Sequence, residues 1–353
     1  MTDLVVAGAG MAGLVAAVEA TERGADVLLL EKGDIAGGSM RLSSGVVWRY
    51  RDFDRFREEC PGGKAELQRL VHDRLDDDLD WLEQLGAPVV TRSTGNPATT
   101  GVRFDVRSLV DALIARVRRV RFREPLDELH DGVPVVLATG GFQASPELVR
   151  RHVTPEADAL LLRAAPWSTG DGLRLALAAG AGTTLGMDEF YGRAMPAPPA
   201  RVDERGFVEL AQLYAHQATV ENAAGEPYVP RTWSQIDVVQ WMARQPGARA
   251  RFRVSRKALA ITVRERTVAD MVDAAERAGA PVSRNGNTVE VQVVAGITTT
   301  LGGIDVDDSG RAVEGVYAAG ADVGGIATGG YASGLAAALV LGRIAAAAAL
   351  ERR

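Results

Sequence analysis

The spacing of hydrophobic positions changes along the chain, and each change predicts an element. Leu4 to Ala7 is a short unbroken apolar run. After a glycine-rich turn, Met11, Leu14, Val15 and Val18 recur at helical spacing until Gly24, and Val27 to Leu30 is a second apolar run. Strand, amphipathic helix and strand in that order form a βαβ unit. Leu67, Leu70, Val71, Leu75, Leu79, Leu82 and Leu85 then share one face of a helix that Gly86 and Pro88 stop, and residues 105–117 repeat the pattern. Val133 to Ala138 is continuously apolar and runs into Thr139-Gly140-Gly141. A run of that kind predicts a buried parallel strand whose carboxyl end meets a turn, and ligands bind at such ends.

Beyond Asp171 a short helix over Leu173 to Ala179 ends at Gly180, and from Met195 to Pro199 onward a mixture of Trp, Tyr, Pro and Arg changes the texture. A second lobe is expected there. It should hold a helix from Gln235 to Arg244, strands at Arg251 to Val254 and Leu259 to Val263, and a helix from Val268 to Gly279 capped by Thr267. Val289 to Val294 resumes strand character after Asn285-Gly286, and one helix beginning near Ser333 closes the chain. With no repeat and no low-complexity linker, the lobe reads as an insertion between residues 1–188 and 285–353 of one nucleotide-binding domain, itself occupying 189–284.

Gly8, Gly10 and Gly13 lie between the first strand and its helix. In a dinucleotide site the first such glycine permits the turn, the second lets a pyrophosphate approach the backbone, and the third lets helix pack on strand. The amino end of the helix then offers free N–H groups and a positive dipole end to the phosphates. Glu31 ends the second strand, where a carboxylate can accept hydrogen bonds from ribose hydroxyls. These residues by themselves allow either NAD or FAD.

Composition removes several classes. The chain has 353 residues, 46% apolar and 24% charged, and a net charge of −6 with no basic stripe, so nucleic acid is not an expected partner. One cysteine, Cys60, rules out an internal disulfide and any cysteine-built metal or cluster site, and no metal is expected. The apolar start is too short and too interrupted by glycine for a signal peptide, and Ile344 to Leu350 is too short to span a membrane. A cytoplasmic protein without membrane insertion is expected.

Four stretches carry a resemblance: Gly37-Gly38-Ser39-Met40-Arg41-Leu42-Ser43-Ser44-Gly45, Val136-Leu137-Ala138-Thr139-Gly140-Gly141-Phe142, Thr169-Gly170-Asp171-Gly172 and Thr299 to Arg343, including Gly315-Val316-Tyr317-Ala318-Ala319-Gly320. In order and spacing they resemble the FAD-dependent fumarate reductase and succinate dehydrogenase flavoprotein family, which also holds 3-ketosteroid and tricarballylate dehydrogenases. The resemblance implies an α/β fold, with a Rossmann-like FAD-binding domain of the glutathione-reductase type and an inserted smaller α+β substrate (capping) domain. It implies FAD as cofactor, a small-molecule substrate and an unidentified electron donor or acceptor. Residues that it places around FAD are Gly8, Gly10, Ala12, Gly13, Glu31, Lys32, Gly38, Ser39, Met40, Ser44, Gly45, Thr139, Gly140, Asp171, Gly320, Asp322, Gly334 and Leu335. Asp171 has a second reading, as cap of the helix that follows it. Where the family usually carries a glutamate after Ala-Ala-Gly, this chain has Ala321 and then Asp322.

The same comparison removes the fumarate chemistry. Fumarate reductases place histidines before a Thr-x-Gly-Gly, an arginine acid in the capping domain and another arginine before the last helix. Here Thr298-Thr299-Thr300 stand for the histidines, Ser234-Gln235-Ile236-Asp237 offers glutamine near the place of the acid, and Gly329-Gly330-Tyr331 lacks the second arginine. A dicarboxylate would be left poorly paired. The remaining candidates for catalysis are Tyr331, beside the last helix, and Tyr191 with Arg193, since a nearby cation lets tyrosine act as acid or base. His216 is a weaker candidate, and of the tryptophans Trp48, Trp233 and Trp241 only Trp48 is favoured as a pocket wall. The expected activity is dehydrogenation or reduction of a C–C bond adjacent to a carbonyl of a small, cyclic or apolar substrate by hydride transfer to or from flavin N5. The alternatives are an oxidase that uses oxygen, or an electron-transfer or non-catalytic flavoprotein subunit.

Covalent attachment in the respiratory members uses a histidine near the Gly-Gly-Ser region, and the nearest histidine here is His72. FAD is therefore expected to be non-covalent. Acid precipitation should leave the yellow colour in the supernatant, and colour retained wholly in the pellet would contradict this.

Overall fold

The computed structural model describes residues 2–130, 132–230 and 236–351. The chain separates into two compact units: Met1–Ser145 with Ala164–Glu189 and Thr299–Arg353, and Pro146–Arg163 with Phe190–Thr298. The architecture is α/β, a nucleotide-binding unit interrupted by a smaller α+β unit.

In the first unit six strands make one sheet in the order Arg311–Val313, Val316–Ala318, Val135–Leu137, Leu4–Ala7, Val27–Glu31, Val120–Phe122. All neighbours are parallel except the first pair. The central strands are runs of valine and leucine because helices cover both faces of a parallel sheet, leaving no solvent side to make polar. A separate three-stranded sheet, Val46–Tyr50, Thr99–Phe104 and Val89–Thr91, was not foreseen from the periodicity. Between the helix Val106–Ile114 and the strand Val135–Leu137 the only regular element among the described residues is Val120–Phe122, in keeping with the short connection there.

The helices Met11–Glu22 and Gly334–Glu351 are buried almost all round because they pack on each other through small residues. A Cβ on Gly342 would stand 2.7 Å from the Ala12 carbonyl oxygen. The terminal helix begins where expected and runs 18 residues, well beyond the Ile344–Leu350 stretch judged too short for a span, and is apolar and long enough to cross a membrane by length and composition. Most of that surface is packed inside the unit. Where these two helices meet Ala65–Gln84, Arg343 donates to Glu19 at 2.7 Å and to Asp78 at 2.5 Å, with its guanidinium 4.5 Å over the Trp81 ring. Burial would raise the Glu19 carboxyl, but Arg343 and Arg23 hold it below its ordinary range. At Asp78 burial prevails over Arg343 and Arg74 and pushes the acid up.

The second unit is built on an antiparallel sheet in the order Thr219–Glu221, Arg249–Ser255, Thr288–Thr300, Val282–Asn285, with Phe190–Pro196 and Leu161–Leu162 also paired to the long strand. Ala250, Phe252 and Val254 face Val293, Val291 and Val289 and are buried, while the intervening arginines are not, which is the period of two of a half-buried strand. Thr267 and Asp270 form a capping box for the helix Val268–Arg277, as the sequence indicates.

Two expectations change. The strand over Leu259 to Val263 is instead a 3-10 turn, Arg256–Ala260, capped by Ser255, and a two-residue strand Thr262–Val263; Arg264 at φ 57 turns the chain back. Residues 146–163 and 285–298, assigned to the nucleotide-binding parts, cluster with the second unit, because the long strand stays paired there. Helix Ile236–Ala243 occupies the predicted place; its proposed first residue, Gln235, lies outside the described residues together with Trp233 and Ser234.

Arg343→Met would leave two buried carboxylates without their shared cation, at a cost of about 3 kcal/mol near neutral pH. Glu19, held low, adds stability that is present above the usual carboxylate range and lost as pH falls through its depressed value; Asp78, pushed up, works in the opposite sense. In the variant both acids protonate on acidification, so the fall in melting temperature should be larger at pH 7.5 than at pH 4.5. Equal falls at both would count against this account.

Candidate functional site

The strands Leu4–Ala7 and Val135–Leu137 are neighbours, yet the first continues through its helix to Val27–Glu31 on one side, while the second has Val316–Ala318 on the other. The strand order reverses between them, and open α/β sheets leave a crevice outside the carboxyl ends at such a switch point. Gly8 follows the first strand at φ 102, and a Cβ there would overlap the Ala138 carbonyl. A side chain on Gly13 would overlap the Gly8 carbonyl, whereas the Cβ position of Gly10 has nothing within 4 Å. The turn is thus packed from beneath and open above Gly10. The first intrahelical bond runs from the Leu14 N–H to the Gly10 carbonyl, so the first-turn N–H groups face out of the helix end.

Glu31 is buried and accepts the Ala9 N–H at 2.6 Å on one oxygen and the Gly33 N–H at 2.7 Å on the other. Each oxygen keeps a further lone pair for a hydroxyl. The Gly37 N–H donates to the Ala9 carbonyl at 2.7 Å, and Gly38 lies against Gly10, its Cβ position 3.3 Å from the Gly10 Cα. Ser39 Oγ accepts the Ala165 N–H at 2.9 Å, and Met40 is buried. Lys32 Nζ donates to Thr169 Oγ1 and Asp171 Oδ2, both at 2.7 Å. Asp171 also pairs with Arg174 and makes no capping bond, so that alternative reading of it falls.

Asp322 is 1% exposed. Its carboxylate accepts the Thr139 N–H, the Thr139 hydroxyl at 3.0 Å and the Gly141 N–H at 2.9 Å. Burial pushes its acid up, and these donors pull it back. Thr139 Oγ1 in turn accepts the Gly172 N–H at 3.0 Å, attaching the helix Asp171–Ala178. Asp322 therefore lies beneath the Thr139-Gly140-Gly141 turn rather than on the open surface. Gly320, at φ 69, sits where a Cβ would be 2.8 Å from that of Ala12.

Ser333 Oγ accepts the Ala336 N–H at 3.2 Å and the Trp48 N–H at 3.4 Å, capping the terminal helix and joining it to the strand Val46–Tyr50. Tyr50 donates its hydroxyl to the Tyr331 carbonyl at 2.7 Å, and Trp48 meets both the Tyr331 ring at 5.2 Å and the Tyr50 ring at 5.3 Å edge-on. Gly334 is exposed, with open space at its Cβ position, and Leu335 is half-buried. Ser44 is exposed, and Gly45 at φ 72 packs under Val106 and Phe104.

In the second unit Arg193 is 5% exposed and stacks 5.0 Å from the centroid of the half-buried Tyr191 ring, so it is not a solvated arginine. Thr298 Oγ1 accepts from Arg163 at 2.7 Å. His216 is exposed on a 3-10 turn, and Trp241 packs against Tyr228. Sequence reasoning missed a brace. Gln68, fully buried, donates to the Cys60 and Ile326 carbonyls, and Gly62 and Lys64 N–H groups donate to Thr328 and Gly325, holding the loop before the terminal helix. A glutamine among the leucines and valine of the buried helix face was the available signal. Cys60, its thiol pushed up to about 12 by burial, is part of this packing.

The open glycine turn, the buried acid after the second strand and the capped terminal helix fit FAD at Gly8–Gly13, Glu31 and Ser333–Leu335. A family model for the FAD binding domain matches residues 3–111 and 100–335. The chain belongs to that family. FAD is its cofactor. This FAD-binding protein is 29% identical over 280 residues to the vinyl phenol reductase of Lactiplantibacillus plantarum, covering 65% of the chain and 54% of the relative. It is 27% identical over 227 residues to a fumarate reductase (cytochrome) of Shewanella frigidimarina, covering 50% and 40%. The chain spans about half the length of the curated relatives it matches. Among solved structures its fold is similar to that of the 3-ketosteroid-delta4-(5alpha)-dehydrogenase of Rhodococcus jostii, at a TM-score of 0.72 and 19% identity, covering 99% of this chain and 96% of that one.

Asp322→Asn would turn an amide NH₂ toward a backbone N–H in the Thr139–Gly141 turn. The expected loss is about 2 kcal/mol of stability together with weaker FAD retention, read by melting temperature and by FAD released on gel filtration. Unchanged melting and retention would show that the tie is dispensable.

Proposed function

We propose that this FAD-binding protein is an oxidoreductase that dehydrogenates or reduces a carbon–carbon bond adjacent to a carbonyl of a small, cyclic or largely apolar substrate. The observation that carries this reading is the aromatic cluster of Trp48, Tyr50 and Tyr331 at the capped amino end of the terminal helix. By the family resemblance, fumarate-reducing members carry a cation there; the threonines at 298–300 are themselves uncharged, and the guanidinium that reaches Thr298, from Arg163, is also tied to the Phe207 carbonyl at 2.7 Å. An apolar, aromatic wall suits a ring-bearing substrate. Two similar proteins are named for such compounds, a vinyl phenol reductase and a 3-ketosteroid dehydrogenase solved with 4-androstene-3,17-dione.

FAD supplies a two-electron donor or acceptor when bound. The chain must exclude water, orient the substrate and move one proton. Tyr331 is the first candidate for that proton, since the Tyr50 hydroxyl and the Trp48 ring fix its backbone and its ring. Tyr191, with the Arg193 guanidinium stacked on it, is the second. The terminal helix offers its positive end to negative charge at its mouth.

An anaerobic titration with a panel of enones and saturated ketones tests the reading. At least one saturated member should bleach the oxidised flavin band, or one unsaturated member should reoxidise dithionite-reduced protein. Tyr331→Phe should lower that rate constant by about 100-fold or more with FAD retention unchanged. A Tyr331→Phe rate equal to wild type, with a fall in Tyr191→Phe instead, would move the proton to Tyr191. No response from any compound would sink the enzyme reading in favour of an electron-transfer or non-catalytic flavoprotein.

A further inference from the structure

The loop from Ala164 to Thr169 lies along residues 31–39 and is fastened to them twice. Ser39 Oγ accepts the Ala165 N–H at 2.9 Å, and Lys32 Nζ donates to Thr169 Oγ1 at 2.7 Å. Between these ties Trp167 lies on Gly33. A Cβ added to Gly33 would stand 2.6 Å from Trp167 Nε1 and 2.7 Å from Cδ1, so glycine alone leaves room for the indole. Gly33 is itself held, its N–H bound to Glu31 Oε1 at 2.7 Å and its carbonyl accepting the Arg123 N–H at 2.8 Å.

An indole seated this closely on fixed backbone is positioned, yet Trp167 is 44% exposed. Two further large apolar side chains are exposed as well: Ile35, four residues after Glu31 in the chain, at 51%, and Phe122, the register partner of Glu31 on the neighbouring strand, at 41%. A carboxylate with lone pairs left for hydroxyls, bordered by an exposed indole and with exposed apolar side chains on the same segments, has the chemistry that a ribose and its purine require.

We propose that Trp167 is the platform on which the adenine of FAD stacks, with Ile35 and Phe122 at its rim. The proposal rests on the adenosine half lying at Glu31. Gly33 is then a specificity position, since it lets the indole reach the base.

The test strips FAD from the protein and titrates the apoprotein with ADP, which carries adenosine and pyrophosphate but no flavin, while following tryptophan emission. In the wild type ADP should quench the emission. Trp167→Leu should abolish the quench and weaken both ADP and FAD about tenfold, within the range that loss of an aromatic partner costs a stacked base. Trp241→Phe should keep the quench. Gly33→Ala, which retains the indole but displaces it, should weaken ADP by a comparable factor. ADP binding without any change in emission, with Trp167→Leu within twofold of wild type, would overturn the proposal and leave the adenosine site intact. Failure of ADP to bind wild-type apoprotein that still rebinds FAD would instead strike the placement of adenosine at Glu31.

Discussion

The carboxylate of Asp322 is the junction on which the nucleotide-binding unit depends. It belongs to the segment after the strand Val316–Ala318, but its hydrogen bonds go to the turn after Val135–Leu137. Through Thr139 that turn also holds the amino end of Asp171–Ala178. The Ala138 carbonyl, one residue earlier, lies where any side chain on Gly8 would have to go. One buried acid thus ties together two strand ends, and the close packing of Gly8 on Ala138 adds the third, setting the floor of the crevice. Burying a charge is costly by several kcal/mol, and here the cost is offset by two backbone N–H groups and a hydroxyl aimed at it.

The two ends of the chain meet for a related reason. Met11–Glu22 and Gly334–Glu351 come close because alanine and glycine line their contact, as Gly342 against the Ala12 carbonyl illustrates. Where Gly342 meets the Ala12 carbonyl the contact leaves no room for a side chain, and Arg343, between Glu19 and Asp78, adds a polar tie that fixes the register. The same approach sets the amino end of the terminal helix beside the strand Val46–Tyr50, where Ser333 caps it and Trp48 and Tyr331 stack.

Glycine turns, a buried acid after the second strand and a capped helix end together suit the cofactor. The cluster at the amino end of the terminal helix, Trp48, Tyr50 and Tyr331, is aromatic, and Tyr331 is the phenol among them with half-buried surface. An environment of this kind discriminates by shape and apolar contact more than by charge, which is the physical basis of the proposal of a ring-bearing substrate over a dicarboxylate.

Local pattern was enough for much of this. The strands Leu4–Ala7 and Val27–Glu31, the helices over Ala65–Gln84 and Val268–Arg277, the cap at Thr267 and the glycine turn are dictated by residues within a few positions of one another, so period and capping chemistry reveal them. The identity of Glu31 as the acid after the second strand was likewise readable by counting. What only the tertiary structure decided are the pairings across long sequence distances: Asp322 with Thr139, Arg343 with Asp78, Gln68 with Ile326, Trp167 with Gly33. Each joins side chain or backbone groups whose neighbours in sequence say nothing about the partner. A hydrogen bond or a close contact is set by distance in space, and folding alone brings those groups within reach.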